Sequence, residues 1–183
     1  QYMGTHRYGL DEWWKLFTTR QLTALTTFSD LLDVVRNRIR DDAVKAGLPN
    51  DGIRLSDGGS GAESYADAVV TYLAFVVDKC ANLWSNLVSW MNDRGAFREV
   101  FARQAIPMTW DFAEANPFSD RGGSWETCLD KVQMAIAAFP ALGGGEILQR
   151  DARVRVANSG PVAISTDPPY YDNGSFLYKN SFT

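Results

Sequence analysis

Apolar residues recur every three or four positions through most of the first 140 residues, and that period predicts three helices. The first starts behind Thr18-Thr19-Arg20-Gln21, a capping box in which a hydroxyl and an amide each satisfy the other's backbone N–H, with Phe17 placed as a hydrophobic staple. Leu22, Leu25, Phe28, Leu32, Val35 and Ile39 then fall on one face. Arg36, Arg38 and Arg40 gather near its far end, where cations complement the helix dipole. They read as a solvated face before they read as contacts to nucleic-acid phosphates. Gly47-Leu48-Pro49-Asn50-Asp51-Gly52 closes the element.

The longest helix is expected from Ser60-Gly61-Ala62-Glu63 to Met91, packed against the first and buried on much of its circumference. Tyr65, Val69, Tyr72, Val76, Cys80, Leu83, Leu87 and Trp90 make its stripe, widened by Leu73 and Phe75. Ser124-Trp125-Glu126-Thr127 opens the third helix, with Leu129, Val132, Ile136 and Phe139 inward and Pro140 as the stop. Of the connections, Asp57-Gly58-Gly59-Ser60-Gly61 reads as a flexible linker. A cofactor loop there would follow a strand of only Ile53-Arg54-Leu55. Residues 102–118 are aromatic, acidic and irregular. Trp110 and Phe112 are expected to seal the helical layer, whereas Asn116-Pro117-Phe118 reads equally as sealing or as a base-binding loop.

After Gly143-Gly144-Gly145 the period changes. Glu146-Ile147-Leu148-Gln149 and Pro161-Val162-Ala163-Ile164 read as strands, and the second ends in Asp167-Pro168-Pro169-Tyr170. Two prolines stop a strand because neither donates to a ladder, and they leave an acid and an aromatic ring at a carboxyl end, where open α/β sheets bind ligands. The expected fold class is therefore α/β, with residues 1–140 a large helical portion and 141–183 strand-rich.

Composition narrows the picture. With 45% hydrophobic and 22% charged residues in 183, the chain is an ordinary globular one, and a net charge of −4 confines any nucleic-acid surface to a local patch. Cys80 and Cys128 read as buried thiols, and His6 alone builds no metal site, so no metal is expected. The longest apolar run, Val69 to Val77, is too short for a bilayer and is bounded by acids, which points to no membrane partner and a cytoplasmic location. A start at Gln1 suggests a piece of something longer.

Asp167-Pro168-Pro169-Tyr170 resembles the amine-binding motif of methyltransferases that act on exocyclic amino groups of DNA bases. Leu16-Phe17-Thr18-Thr19-Arg20-Gln21-Leu22, the stretch 102–118 and the stretch 166–172 extend the likeness. Together they resemble the C-terminal half of large prokaryotic adenine-specific DNA methylases that carry a zinc-ribbon segment. The resemblance implies part of a Rossmann-like sheet, S-adenosylmethionine as methyl donor, and double-stranded DNA with a flipped-out base as partner. It also implies a place in restriction or phage defence. Asp167, Pro168, Pro169 and Tyr170 are the implied catalytic residues. The resemblance makes Asp151, just past the first strand, a contact to the cofactor's adenine amine; capping of a turn is its other reading. The glycine-rich cofactor loop and the zinc ligands of those proteins have no counterpart here, and the sequence departs from their pattern after Asn173. This chain alone is accordingly expected to bind the cofactor weakly or not at all. Its open sheet edge is expected to associate with an upstream half or with itself. Cytosine-N4 methylation, methylation of protein glutamine, and a non-catalytic helical interaction domain are the alternatives.

Overall fold

Thr18 begins the first helix as the sequence predicts. In the computed structural model, which describes residues 8–102, 106, 108–139, 151 and 165, its hydroxyl accepts from Gln21 N and the Gln21 amide oxygen accepts from Thr18 N. Helix α1 then runs over Thr19–Lys45. Helix α2 covers Ala62–Ala81, strands β1 and β2 are Trp90–Met91 and Ala96–Phe97, and helix α3 is Trp125–Ala138. The described residues are thus mixed helical with one two-stranded antiparallel sheet, in which Trp90 pairs with Phe97 and Met91 with Ala96. The strands expected at 146–149 and 161–164, and with them the Rossmann-like sheet, lie outside the described residues. No described helix is long and apolar enough to cross a membrane. The chain divides into two units, Met3–Phe139 and Gln1–Tyr2 with Pro140–Thr183; in the second, Asp151 and Ser165 are described, both exposed.

Helices α1 and α2 lie against each other as expected. Leu25, Val76, Cys80, Leu83, Trp84 and Cys128 form the centre of the core, with Phe28, Trp125, Leu129 and Val132 packed around it. A second cluster joins Leu16 to Leu87, Val88 and Val100. Ser124 caps α3 by accepting from Thr127 N.

Several expectations are corrected. The second helix stops at Ala81, ten residues before Met91, and α1 at 27 residues is the longest. Its apolar spacing does continue, but Ser85 and Asn86 take the chain elsewhere. Ser85 Oγ donates to Leu16 O at 2.6 Å, and Asn86 N and Nδ2 donate to Leu16 O and Lys15 O. Polar side chains that reach backbone partners compete with helix continuation. Leu83, Trp84, Leu87 and Val88 are buried in the resulting turns. The α2 circumference is less covered than expected, since Tyr65, Tyr72 and Phe75 are exposed, as is Phe139 after α3.

The glycine-rich stretch before α2 is no loose linker. A Cβ on Gly59 would stand 2.4 Å from Ile53 O, and one on Gly61 2.5 Å from Pro49 O. Gly59 N donates to Arg54 O and Ala62 N to Pro49 O, so the loop folds tightly back on residues 49–54.

Arg36 is neither solvated nor free for phosphate. Its guanidinium bonds Glu63 at 2.6 Å and Asp67 at 2.7 Å, with all three side chains at most 15% exposed. Arg54 Nε and Leu55 N also donate to Asp67. Burial works hardest against the Asp67 charge, yet the hydrogen bonds from Arg54, Arg36 and Leu55 N together outweigh it and hold the carboxyl at about 2. Arg40 pairs with Asp41 and approaches Glu63.

Candidate functional site

The capping box leaves something over. Thr18 N can donate only to an oxygen, so the Gln21 side chain is fixed with Oε1 toward it at 2.8 Å. The other end of that amide, Nε2, is shielded from water and has no hydrogen-bond partner among the described residues, although Gln21 is only 4% exposed. A glutamate would close the same capping box without burying an idle donor.

Arg20, one position earlier, reaches across to Glu114. Its Nε lies 2.7 and 2.9 Å from the two carboxylate oxygens and its Nη2 lies 2.5 Å from Oε2, a two-pronged pairing across 94 residues of sequence. The stretch around Glu114 is held from both sides. Ala113 N donates to Val88 O, and Trp125 N donates to Pro117 O. Asn116 Oδ1 accepts from Phe118 N at 3.0 Å, and Asn116 O accepts from the backbone and hydroxyl of Ser119. The Asn116 amide oxygen is likewise engaged by backbone, but Asn116 is exposed where Gln21 is buried.

Beneath these groups lies Trp84, 1% exposed, whose indole N–H donates to Gly123 O at 2.6 Å. Phe28 stacks on Trp125 with centroids 4.4 Å apart and planes at 6°, and also contacts Trp84 and Phe118. Gly123 holds a left-handed φ of 86°, and a Cβ there would lie 2.8 Å from the Ala115 methyl. Only glycine satisfies both the turn and the close approach.

Arg20, Gln21, Ala24, Trp84 and residues 114–117 enclose a cavity of about 300 Å³. Its walls are largely apolar, and the polar residues Arg20, Glu114 and Asn116 border it. A second cavity of about 490 Å³ shares Asn116 and is bordered by Trp90, Phe97, Arg121 and Lys131. Trp90 and Phe97 meet there edge to face at 5.1 Å. The first cavity is small and largely apolar, and the Glu114 carboxylate at its border is occupied by Arg20.

Of the residues the sequence singles out, Asp167, Pro168, Pro169 and Tyr170 lie outside the described residues, and Asp151 is exposed in the other unit. Asn116 and Pro117 do line a cavity, while Phe118 is 84% exposed. Trp110 is fully exposed and seals nothing. Cys80 and Cys128 are both buried free thiols, and the Cys80 thiol is held above its ordinary value by the Cys128 sulfur first and by burial second.

Gln21, Trp84 and Glu114 are site residues the sequence reading did not select. Only Gln21 carries a local sign, as an amide where a capping box accepts either amide or acid. No family model matches this chain, and neither a curated protein nor a solved structure matches it.

Proposed function

We propose that this chain is part of an S-adenosylmethionine-dependent DNA methyltransferase that acts on the exocyclic amine of adenine. Asp167-Pro168-Pro169-Tyr170, following the apolar run Pro161 to Ile164, carries the reading. An exocyclic amine is a poor nucleophile because its lone pair is delocalised into the ring. The Asp167 carboxylate and the Pro168 carbonyl each accept one of its N–H bonds, which favours a pyramidal nitrogen with its lone pair directed outward. That is positional and electrostatic catalysis, with little demand for a strong base. Tyr170 supplies a face for a base extruded from the duplex, and the two prolines keep the loop stiff.

The helical unit supports this reading in one respect. The stretches 16–22 and 102–118, which carry much of the resemblance, are joined by Arg20 and Glu114 and line one cavity. S-adenosylmethionine supplies an electrophilic methyl group when bound. Asp151 is an exposed carboxylate with the chemistry to hold the cofactor's adenine amine. The stretch Asp57 to Gly61 does not fit a cofactor cradle, because backbone of residues 49–54 already occupies the space beside Gly59 and Gly61. That stretch therefore contributes no cofactor loop.

The test is made in the intact parent protein. Asp167→Asn keeps the size but replaces one acceptor oxygen by a donor, and is expected to slow single-turnover methylation of duplex DNA by roughly 30- to 1000-fold, or about 2–4 kcal/mol. Cofactor affinity should stay unchanged in a separate titration. Methylation at the parental rate would mean that the motif is only a strand terminator.

A further inference from the structure

We infer that the cavity beside the β1–β2 hairpin and α3 is a site for a nucleoside monophosphate, a flat aromatic ring joined through a sugar to a phosphate. Trp90, Phe97, Glu99, Arg121 and Lys131 are among the residues that line it. Two kinds of group meet there that a purely structural hollow does not need together: aromatic rings with uncovered surface, and cations without strong partners.

The rings come from the hairpin. Trp90 pairs with Phe97 across the two strands, and their rings meet edge to face at 5.1 Å and 80°. That contact leaves Trp90 48% exposed, so much of its surface has no protein cover. A ring of this kind is a platform on which any base can stack, because every base has a π-face.

The charges come from the loop before α3 and from α3 itself. Arg121 pairs with Asp120 at 3.4 Å, with both side chains 85% exposed, and such a pair contributes little and separates easily. Lys131 is exposed and forms no salt bridge among the described residues. The carboxylate of Glu99 is already engaged, by Lys79 Nζ at 2.5 Å and Asn82 Nδ2 at 3.0 Å. The Lys79 hydrogen bond chiefly holds the Glu99 carboxyl below its ordinary range, and the nearby Lys131 charge adds to it. A chain of net charge −4 thus gathers a local excess of positive charge at this cavity.

That set of groups selects the ligand. A phosphate monoester carries about −1.5 to −2 at neutral pH and matches two cations, whereas a single carboxylate would leave one unanswered. Arg121 offers a planar fork to phosphate oxygens and Lys131 a point charge. The volume of about 490 Å³ falls within the range of ligand pockets and has room for ring, sugar and phosphate. Stacking and charge read the ring face and the phosphate, so the site is indifferent to the identity of the base. The proposal stands on this cavity alone and does not depend on methyl transfer. The same chemistry is available from a free nucleotide or from the 5′-phosphorylated end of a strand.

Calorimetric titration of the whole chain with adenosine monophosphate, adenosine and inorganic phosphate tests the assignment. The nucleotide is expected to bind at least roughly tenfold more tightly than either part, and uridine monophosphate to bind within about tenfold of it. Added salt should weaken the nucleotide and leave adenosine nearly unaffected. Lys131→Ala and Arg121→Ala remove exposed cations, so thermal unfolding should hardly change. Each should lower nucleotide affinity roughly tenfold without altering adenosine binding, and Lys131→Arg should restore most of the loss. Trp90→Ala should weaken nucleotide and adenosine alike, by about tenfold. Tighter binding of a 5′-phosphorylated oligonucleotide than of adenosine monophosphate identifies a strand end as the source, and the reverse order identifies a free nucleotide. A nucleotide that binds no more tightly than adenosine or phosphate, or one whose affinity is unchanged in both cation variants, overturns the proposal.

Discussion

Asp67→Asn is expected to cost about 2 kcal/mol of unfolding free energy at neutral pH. Asp67 sits on α2 between Arg36 of α1 and Arg54 of the connecting loop, and its side chain is 12% exposed. Its carboxyl is held at about 2, against an ordinary 3.8. Each unit of such a gap corresponds to about 1.4 kcal/mol, so the folded state favours the charge by about 2 kcal/mol. The folded value lies below the unfolded one. The stabilisation is therefore complete above about pH 5 and fades as pH falls through 4 toward 2. Asparagine has no charge to lose, and Glu63 still pairs with Arg36 in the variant. The loss should consequently stay below that of an orphaned buried arginine. Urea unfolding of both proteins, followed by tryptophan fluorescence, checks this at about pH 7 and again at about pH 3. The gap between them should narrow on acidification. Equal midpoints at neutral pH, or a gap that persists undiminished in acid, would refute the assignment of the lowered pKa to this network.

Two further substitutions probe the packing around Trp84 and Gly123. Gly123→Ala places a methyl 2.8 Å from the Ala115 methyl at a φ of 86°, and is expected to lower stability by about 1–3 kcal/mol in thermal or urea unfolding. An unchanged midpoint would show that the turn relaxes freely. Trp84→Phe leaves Gly123 O without its buried donor and should cost about 1–3 kcal/mol before any packing loss. A fully stable variant would show that this carbonyl finds another partner.

Local chemistry was the part of this fold that could be read ahead of the structure. Thr18 and Gln21 announce a helix start because both partners lie within one turn, and Ser124 does the same for α3. The inward stripe of α1 follows from spacing alone. The end of α2 does not, because Leu83 and Leu87 continue the helical period while the deciding partners, Lys15 and Leu16, lie some 70 residues away. Asn92-Asp93-Arg94-Gly95 is a turn signal, with Gly95 in the left-handed region at φ 60°, that the apolar run before it concealed. Arg36 looked like a solvated cation because its acids belong to another helix. The cavity was hidden for the same reason: Asn116-Pro117 raised suspicion, but nothing near Gln21 indicates that residue 114 stands opposite.

Arg20 and Glu114 close a loop of 94 residues, and that span sets an order of assembly. The α1–α2 hairpin closes over the connection between Lys45 and Ala62, far shorter than that span, whereas contacts of long sequence separation carry a larger loop entropy and tend to form later. The cavity beside α1 is therefore expected to be among the last features to form as the unit folds. Chains that have built both long helices but not yet docked residues 113–118 have no such cavity to offer. Any ligand that fits it binds the finished state alone, and by mass action draws the population away from every incomplete one.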